Sequence, residues 1–324
     1  SSLTSVTLPT NPLFTTIGSN VFGYCSSLTS ITIPDSVTNI GLGAFTSTDL
    51  SNVTMNLSLK NIYDNDTYFS NSNSNSTNIN YNYTFGTLLF QPSASNGTTL
   101  TQHDVSNALY GFSGPFNALI NDSVITIGPD AFANSTLYSI DIPNSITTIG
   151  SSAFENCYSL ISIDLSGTQV ETIGEYAFQY CTNLTSIHIP DSVTSIGQNA
   201  FQFCTSLTSI TIPDSVTTIG DNAFSRCSGL TSISLDASNI SFSDISGVLF
   251  NKDQSTLIQY PLGNTANSYT IPDSVTTIES GSFTQGSSLT SITIPDSVTT
   301  IGQGAFTSTN PVSYTHLTLP TKRI

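Results

Sequence analysis

Positive charge is nearly absent from this sequence. Five Lys and Arg stand against 21 Asp and Glu, a formal net charge of −16 over 324 residues. Nucleic-acid binding draws on clustered Lys and Arg that displace counterions from phosphates, so that class is excluded. Docking on anionic lipid headgroups is excluded for the same reason. Charge of either sign is scarce, at 8% of residues, and Ser, Thr and Asn carry the polarity instead. That balance is common in β-rich secreted and surface proteins. No apolar run approaches the roughly 18 residues that span a bilayer, so no direct membrane insertion is expected. Initiator Met and leader are both missing, and Ser1-Ser2-Leu3-Thr4-Ser5 already lies inside a repeat. A piece of a longer chain is expected, for which the missing leader says nothing about secretion. The sequence has no nucleophile elbow, no phosphate-cradling glycine loop and no zincin helix. It is not expected to be an enzyme or to hold a cofactor.

What is present is repetition. Residues 207–229 read LTSITIPDSVTTIGDNAFSRCSG and residues 184–206 read LTSIHIPDSVTSIGQNAFQFCTS. Further units begin at Leu3, Leu28, Leu137, Leu160, Leu230 and Leu289, with steps of 23, 24, 23 and 23 residues from Leu137 to Leu230. Self-similarity at this period is the signature of a solenoid. Within one unit Leu207, Ile210 and Ile212 bracket a short strand rich in Thr and β-branched residues. Pro213 ends its ladder for want of an N–H. Asp214 and Ser215 are expected to hold the turn by bonding nearby amides. Val216 and Ile219 return inward on a second, more irregular face, Gly220 permits a turn, and Ala223, Phe224 and Cys227 close the coil through a short helical segment. Half a dozen apolar side chains do not offset the entropy of ordering a whole unit, so stacking on neighbours supplies the stability.

These residues resemble the BspA-like leucine-rich repeats, whose pattern is an L-x-x-I-x-I-P strand followed by S-V-x-x-I-G-x-x-A-F-x-x-C. Residues 28–45, 137–159, 184–229 and 289–306 match nearly position for position. The resemblance covers about 1–55 and 117–310. It implies a β-rich (α/β-type) solenoid, a leucine-rich-repeat right-handed coil with a parallel β-sheet on the concave face. It also implies a cell-surface or secreted protein, several such proteins being adhesins for host matrix or cell-surface proteins.

The expected organisation is N-terminal repeats over 1–55, an Asn/Ser-rich island over 56–116, and repeats over 117–310 with a hairpin-containing long unit at 236–268. The tail 311–324 breaks the pattern and reads as a non-native sequence. Insertions in solenoids map to one face and can bind. The island's Tyr63, Tyr68, Tyr81 and Tyr83 are therefore candidate contacts beside the plainer reading of a flexible excursion.

Three columns of like residues carry the remaining chemistry. Cys25, Cys157, Cys181, Cys204 and Cys227 each follow the repeat Phe by three residues. One thiol per coil makes a line with no tetrahedral convergence, so a metal site is not expected and buried free thiols are the favoured reading. Asp35, Asp191, Asp214, Asp273 and Asp296 read as strand-end caps, with weak calcium binding as the alternative. Between the two strand Ile positions lies an outward column whose least repetitive stretch is Asp141, Asp164 and His188, continued by Thr211 and Ser234. The functional expectation is protein-protein recognition on that face. A carbohydrate-binding or carbohydrate-active solenoid would need an aromatic groove with paired carboxylates, and a structural spacer would need neighbouring domains.

Overall fold

Thr and Ile alternate through the repeat strand, and alternation sends every second side chain to the same side. Strand Ser209–Ile212 follows it: Ser209 and Thr211 are exposed, Ile210 and Ile212 buried. The structure, a computed structural model, describes residues 3–34, 36–37, 39–41, 43–48, 50, 52–56, 80–84, 87–90, 92, 96–109, 115–286, 288–309 and 313–316. Contacts divide the chain into two units, Ser1–Phe90 with Asp104–Leu119, and Gln91–His103 with Ile120–Ile324.

In the first unit, strand Ser30–Thr32 pairs in parallel with Asn52–Asn56, which pairs in parallel with Asn80–Thr84. A second ladder joins Thr16–Ile17 to Asn39–Ile40. Between the ladders Leu28, Ile31, Val37, Ala44 and Phe45 are buried together.

The second unit stacks coil on coil with like residues in register. On the long-strand face Ser162–Asp164 pairs with Ser186–His188, Ser209–Ile212 with Ser232–Leu235, and Ser268–Thr270 with Ser291–Ile294, all parallel. Strand Ser313–His316, within the segment read as a tail, continues this last ladder. The other face is more regular than its sequence suggests. Two-residue strands Thr99–Leu100, Thr126–Ile127, Thr148–Ile149, Thr172–Ile173, Ser195–Ile196 and Thr218–Ile219 form one six-stranded parallel sheet. Two residues suffice because the glycine that follows lets the coils touch: a Cβ on Gly197 would lie 2.5 Å from the Glu175 nitrogen.

The closing corner is a correction to the expected helical segment. Each corner is a run of turns with two left-handed residues, such as Ser152 (φ 54°) and Asn156 (φ 59°), then Tyr176 (φ 57°) and Tyr180 (φ 59°). Alternating hands aim successive N–H groups along the stack. Those of Ser152, Phe154 and Asn156 donate to the carbonyls of Glu175, Ala177 and Gln179 in the next coil. A helix would consume these donors within its own chain. The intercoil bonds offset a strain of roughly 1–2 kcal/mol per left-handed residue.

Inside the corner Phe132, Phe154, Phe178, Phe201 and Phe224 form one stack, with ring centroids 5.4, 5.2, 5.3 and 5.6 Å apart. Interplanar angles of 4° to 6° record how closely each coil copies the last. After Phe224 the order changes. Strands Phe242–Ile245, Val248–Asn251 and Thr256–Gln259 pair antiparallel in sequence, and the parallel ladder resumes from Thr256–Gln259 to Thr277–Ile278 and Thr300–Ile301. Tyr260, Phe283 and Phe306 then form a second aromatic run.

Candidate functional site

Asp141, Asp164, His188, Thr211 and Ser234 are all exposed, each on the outward side of a long strand. Register sets Asp164 beside His188, and Thr211 beside Ser234. Asp141 ends the strand Leu137–Asp141, which approaches the next coil where the Ile161 N–H donates to the Tyr138 carbonyl at 3.2 Å. The Asp164 carboxylate accepts the Ser166 amide at 2.9 Å. That amide holds its pKa below the ordinary value, helped by the Ser166 hydroxyl and the nearby His188 charge against a small desolvation effect. Tyr63 and Tyr68 lie outside the described residues. Of Tyr81 and Tyr83 only the backbone is described, in the strand Asn80–Thr84.

The Asp column behaves differently from its sequence reading, for a physical reason. Asp191, Asp214 and Asp273 are exposed and make no side-chain hydrogen bond among the described residues. The serines that follow Asp191, Asp214 and Asp296 do the tying where the coils meet. Ser192 Oγ donates to the Val170 carbonyl at 2.8 Å, Ser215 to Val193 at 2.7 Å and Ser297 to Val275 at 2.7 Å. A short hydroxyl reaches the preceding coil, while a carboxylate has only acceptors to offer to a carbonyl. Asp35 lies outside the described residues.

Cys157, Cys181, Cys204 and Cys227 are buried free thiols, and Cys25 is half-buried. Each buried thiol donates to the Phe carbonyl of the preceding coil, from Cys157 to Phe132 at 3.1 Å through Cys227 to Phe201 at 3.0 Å. Burial pushes Cys157 and Cys227 up to about 12 and raises Cys181 and Cys204 well above the ordinary range. Thiols so held are structural, with no nucleophilic character. Among the described residues no three His, Cys, Asp or Glu side chains gather as a metal site. No helix among them is long and apolar enough to cross a membrane.

One surface feature escaped the sequence reading. The left-handed slot before each Cys points its side chain outward, so Tyr180 and Phe203 stack at 4.3 Å and the Arg226 guanidinium sits 4.8 Å over the Phe203 ring. All three are half-buried. The signal was available, since an aromatic, an aromatic and a cation recur one coil apart at 180, 203 and 226.

In-register parallel coils with a buried Leu/Ile/Phe column and one polar outward row define a leucine-rich-repeat protein. The sequence matches the BspA type leucine rich repeat region, in six copies, over residues 1–110, 105–231, 167–265 and 263–324, and the chain belongs to that family. Among solved structures it is similar to a leucine rich cell surface protein from Faecalibacterium prausnitzii A2-165. Identity is 32%, the TM-score is 0.52, and the match covers 90% of this chain and 61% of that one. The pneumococcal vaccine antigen PcpA shares the fold at 24% identity and a TM-score of 0.55, over 70% of this chain and 54% of PcpA. The chain thus spans less than two thirds of the length of either. No curated protein matches it.

Proposed function

We propose that this chain is the recognition part of a secreted or cell-surface protein that binds a protein ligand, in the manner of an adhesin, without catalysing a reaction. The observation that carries this reading is the exposed row Asp164–His188 and Thr211–Ser234, displayed in register on strands whose opposite sides are buried. A row fixed by the frame loses little freedom on binding, so modest contacts yield affinity. The acidic total favours a polar or basic protein surface over nucleic acid or anionic lipid. The solved relative from Faecalibacterium prausnitzii, described as a cell surface protein, supports the location.

The test presents the purified chain to immobilised host matrix proteins and to whole cells at physiological salt. Saturable binding is expected, and the double variant Asp164→Ala with His188→Ala weakens it at unchanged thermal stability. An absence of saturable binding across the panel, or binding indifferent to that variant, refutes the assignment to this row.

A further inference from the structure

The corner ladder stops at one place. In four successive coils each corner gives three N–H groups to the next, the last set being Asn199, Phe201 and Phe203 to the carbonyls of Asp221, Ala223 and Ser225. The equivalent N–H groups of Asn222, Phe224 and Arg226 find no acceptor among the described residues. On the same rim the carbonyls of Thr217 and Ile219 receive no donor, whereas their counterparts Thr194 and Ile196 accept from Thr217 and Gly220. The cause lies in the following coil. Its strand Thr256–Gln259 is already paired on both edges, with Val248–Asn251 and Thr277–Ile278. The Ser282 carbonyl accepts Tyr260 N–H at 3.0 Å and the Gln259 side-chain Nε2 at 2.9 Å.

A cavity of 230 Å³ lies at this break, walled by residues 219–224 on one side and by Asn251, Thr256, Ile258 and Gln259 on the other. Ile219 is half-exposed there, whereas Ile149, Ile173 and Ile196 are buried. Asp221 and Glu279 also line it, and neither carboxylate forms an ion pair among the described residues. Unsatisfied main-chain groups are rare in folded proteins, and a run of donors beside a run of acceptors matches the edge offered by an extended backbone.

We infer that this break is a docking site for an extended basic segment of a partner protein. The segment's carbonyls accept from Phe224 and its neighbours, its N–H groups donate to Thr217 and Ile219, and its Lys or Arg side chains meet Asp221 and Glu279. A free anion would suit the N–H row alone, but two carboxylates on the rim repel it. The inference takes from the proposed function only that the partner is a protein, and it concerns a different surface from the Asp164–His188 row.

The experiment is native-state amide exchange on the whole chain. Without ligand, the amides of Asn222, Phe224 and Arg226 exchange faster than those of Asn199, Phe201 and Phe203. Saturating acetyl-Thr-Lys-Thr-Lys-Thr-Lys-amide slows the first three selectively, while acetyl-Thr-Glu-Thr-Glu-Thr-Glu-amide and maltohexaose leave them unchanged. Pairing Asp221→Asn with Glu279→Gln weakens the basic peptide about tenfold, two exposed ion pairs being lost. Ile258→Trp, which fills the cavity, also blocks it. No slowing by the basic peptide, equal slowing by the acidic peptide or the sugar, or indifference to the charge variants overturns the inference. Matrix binding that is absent, or indifferent to the Asp164 and His188 variant, with the peptide result intact would fail the proposed function alone.

Discussion

Replacing Phe178 and Phe224 one at a time with alanine isolates what ring stacking adds to this fold. Both side chains are buried to within 1% of their surface, so their transfer terms are alike. They differ in neighbours. Phe178 lies between Phe154 at 5.2 Å and Phe201 at 5.3 Å, whereas Phe224 stacks on Phe201 alone at 5.6 Å. A buried Phe→Ala change costs about 3–5 kcal/mol. Each stacked pair adds about 0.5–1.5 kcal/mol beyond burial. Phe178→Ala is therefore expected to exceed Phe224→Ala by about 0.5–1.5 kcal/mol, partly because the cavity beside Phe224 already relaxes its surroundings. Urea unfolding followed by circular dichroism, with slopes compared to confirm an unchanged transition, reads the difference directly. Equal costs, or a larger cost at Phe224, would refute the view that stability in this unit is summed from contacts between neighbouring coils.

Three further outcomes follow from the same geometry. Gly197→Ala drives a Cβ to 2.5 Å from the Glu175 nitrogen, and a loss of about 1–3 kcal/mol or more is expected in a thermal melt, since main chain has nowhere to yield. Ser215→Ala removes the 2.7 Å bond to the Val193 carbonyl and costs about 0.5–1.5 kcal/mol, while Asp214→Ala stays within about 0.5 kcal/mol; the reverse order would restore the aspartate as the turn's anchor. The buried thiols make the fold alkali-sensitive. Their folded pKa is raised, to about 12 for Cys157 and Cys227 against an ordinary 9.0, so their contribution is whole below the unfolded value and lost as pH rises. Stability falls between pH 9.0 and about 12 by about 1.4 kcal/mol per pH unit per thiol. Unfolding at pH 8 and pH 10 should show this slope in the native chain, and Cys157→Ala, Cys181→Ala, Cys204→Ala and Cys227→Ala combined should flatten it.

The coil itself was legible because each slot is chemically distinct. Ile at two strand positions, Phe at the corner and Cys three residues later recur so regularly that stacking in register follows from the 23-residue step. The corner backbone was half legible. The slot two residues before the corner Phe holds Asn20, Gly43, Asp130, Asn199, Asn222 and Gly304, residue types that tolerate left-handed backbone, but also Ser152 and Tyr176, and all have positive φ. Four residues on, the slot holds Tyr180, Phe203 and Arg226, which have no such preference; intercoil hydrogen bonds hold Tyr180 and Phe203 instead. No local signal announces those. The break after Phe224 was illegible for a related reason: two apolar runs around a polar turn announce a hairpin, but not that pairing within it strands the donors of the coil before. In the outward row the spacing of Asp164 and His188 was readable. The Ser166 amide that steadies the carboxylate was not, because it belongs to a turn and not to the repeat.

The corner ladder has an arrow. Every intercoil corner bond in the run from Asp130 to Phe203 has its N–H on the earlier coil, facing the later one, and its carbonyl on the later coil, facing back. Such an array has a donor end and an acceptor end that differ as the poles of a magnet do. Coils can therefore be added, deleted or grafted from a sibling only head to tail. Two such arrays joined tail to tail would meet donor against donor, and any segment that seals the later end must bring oxygen atoms to it.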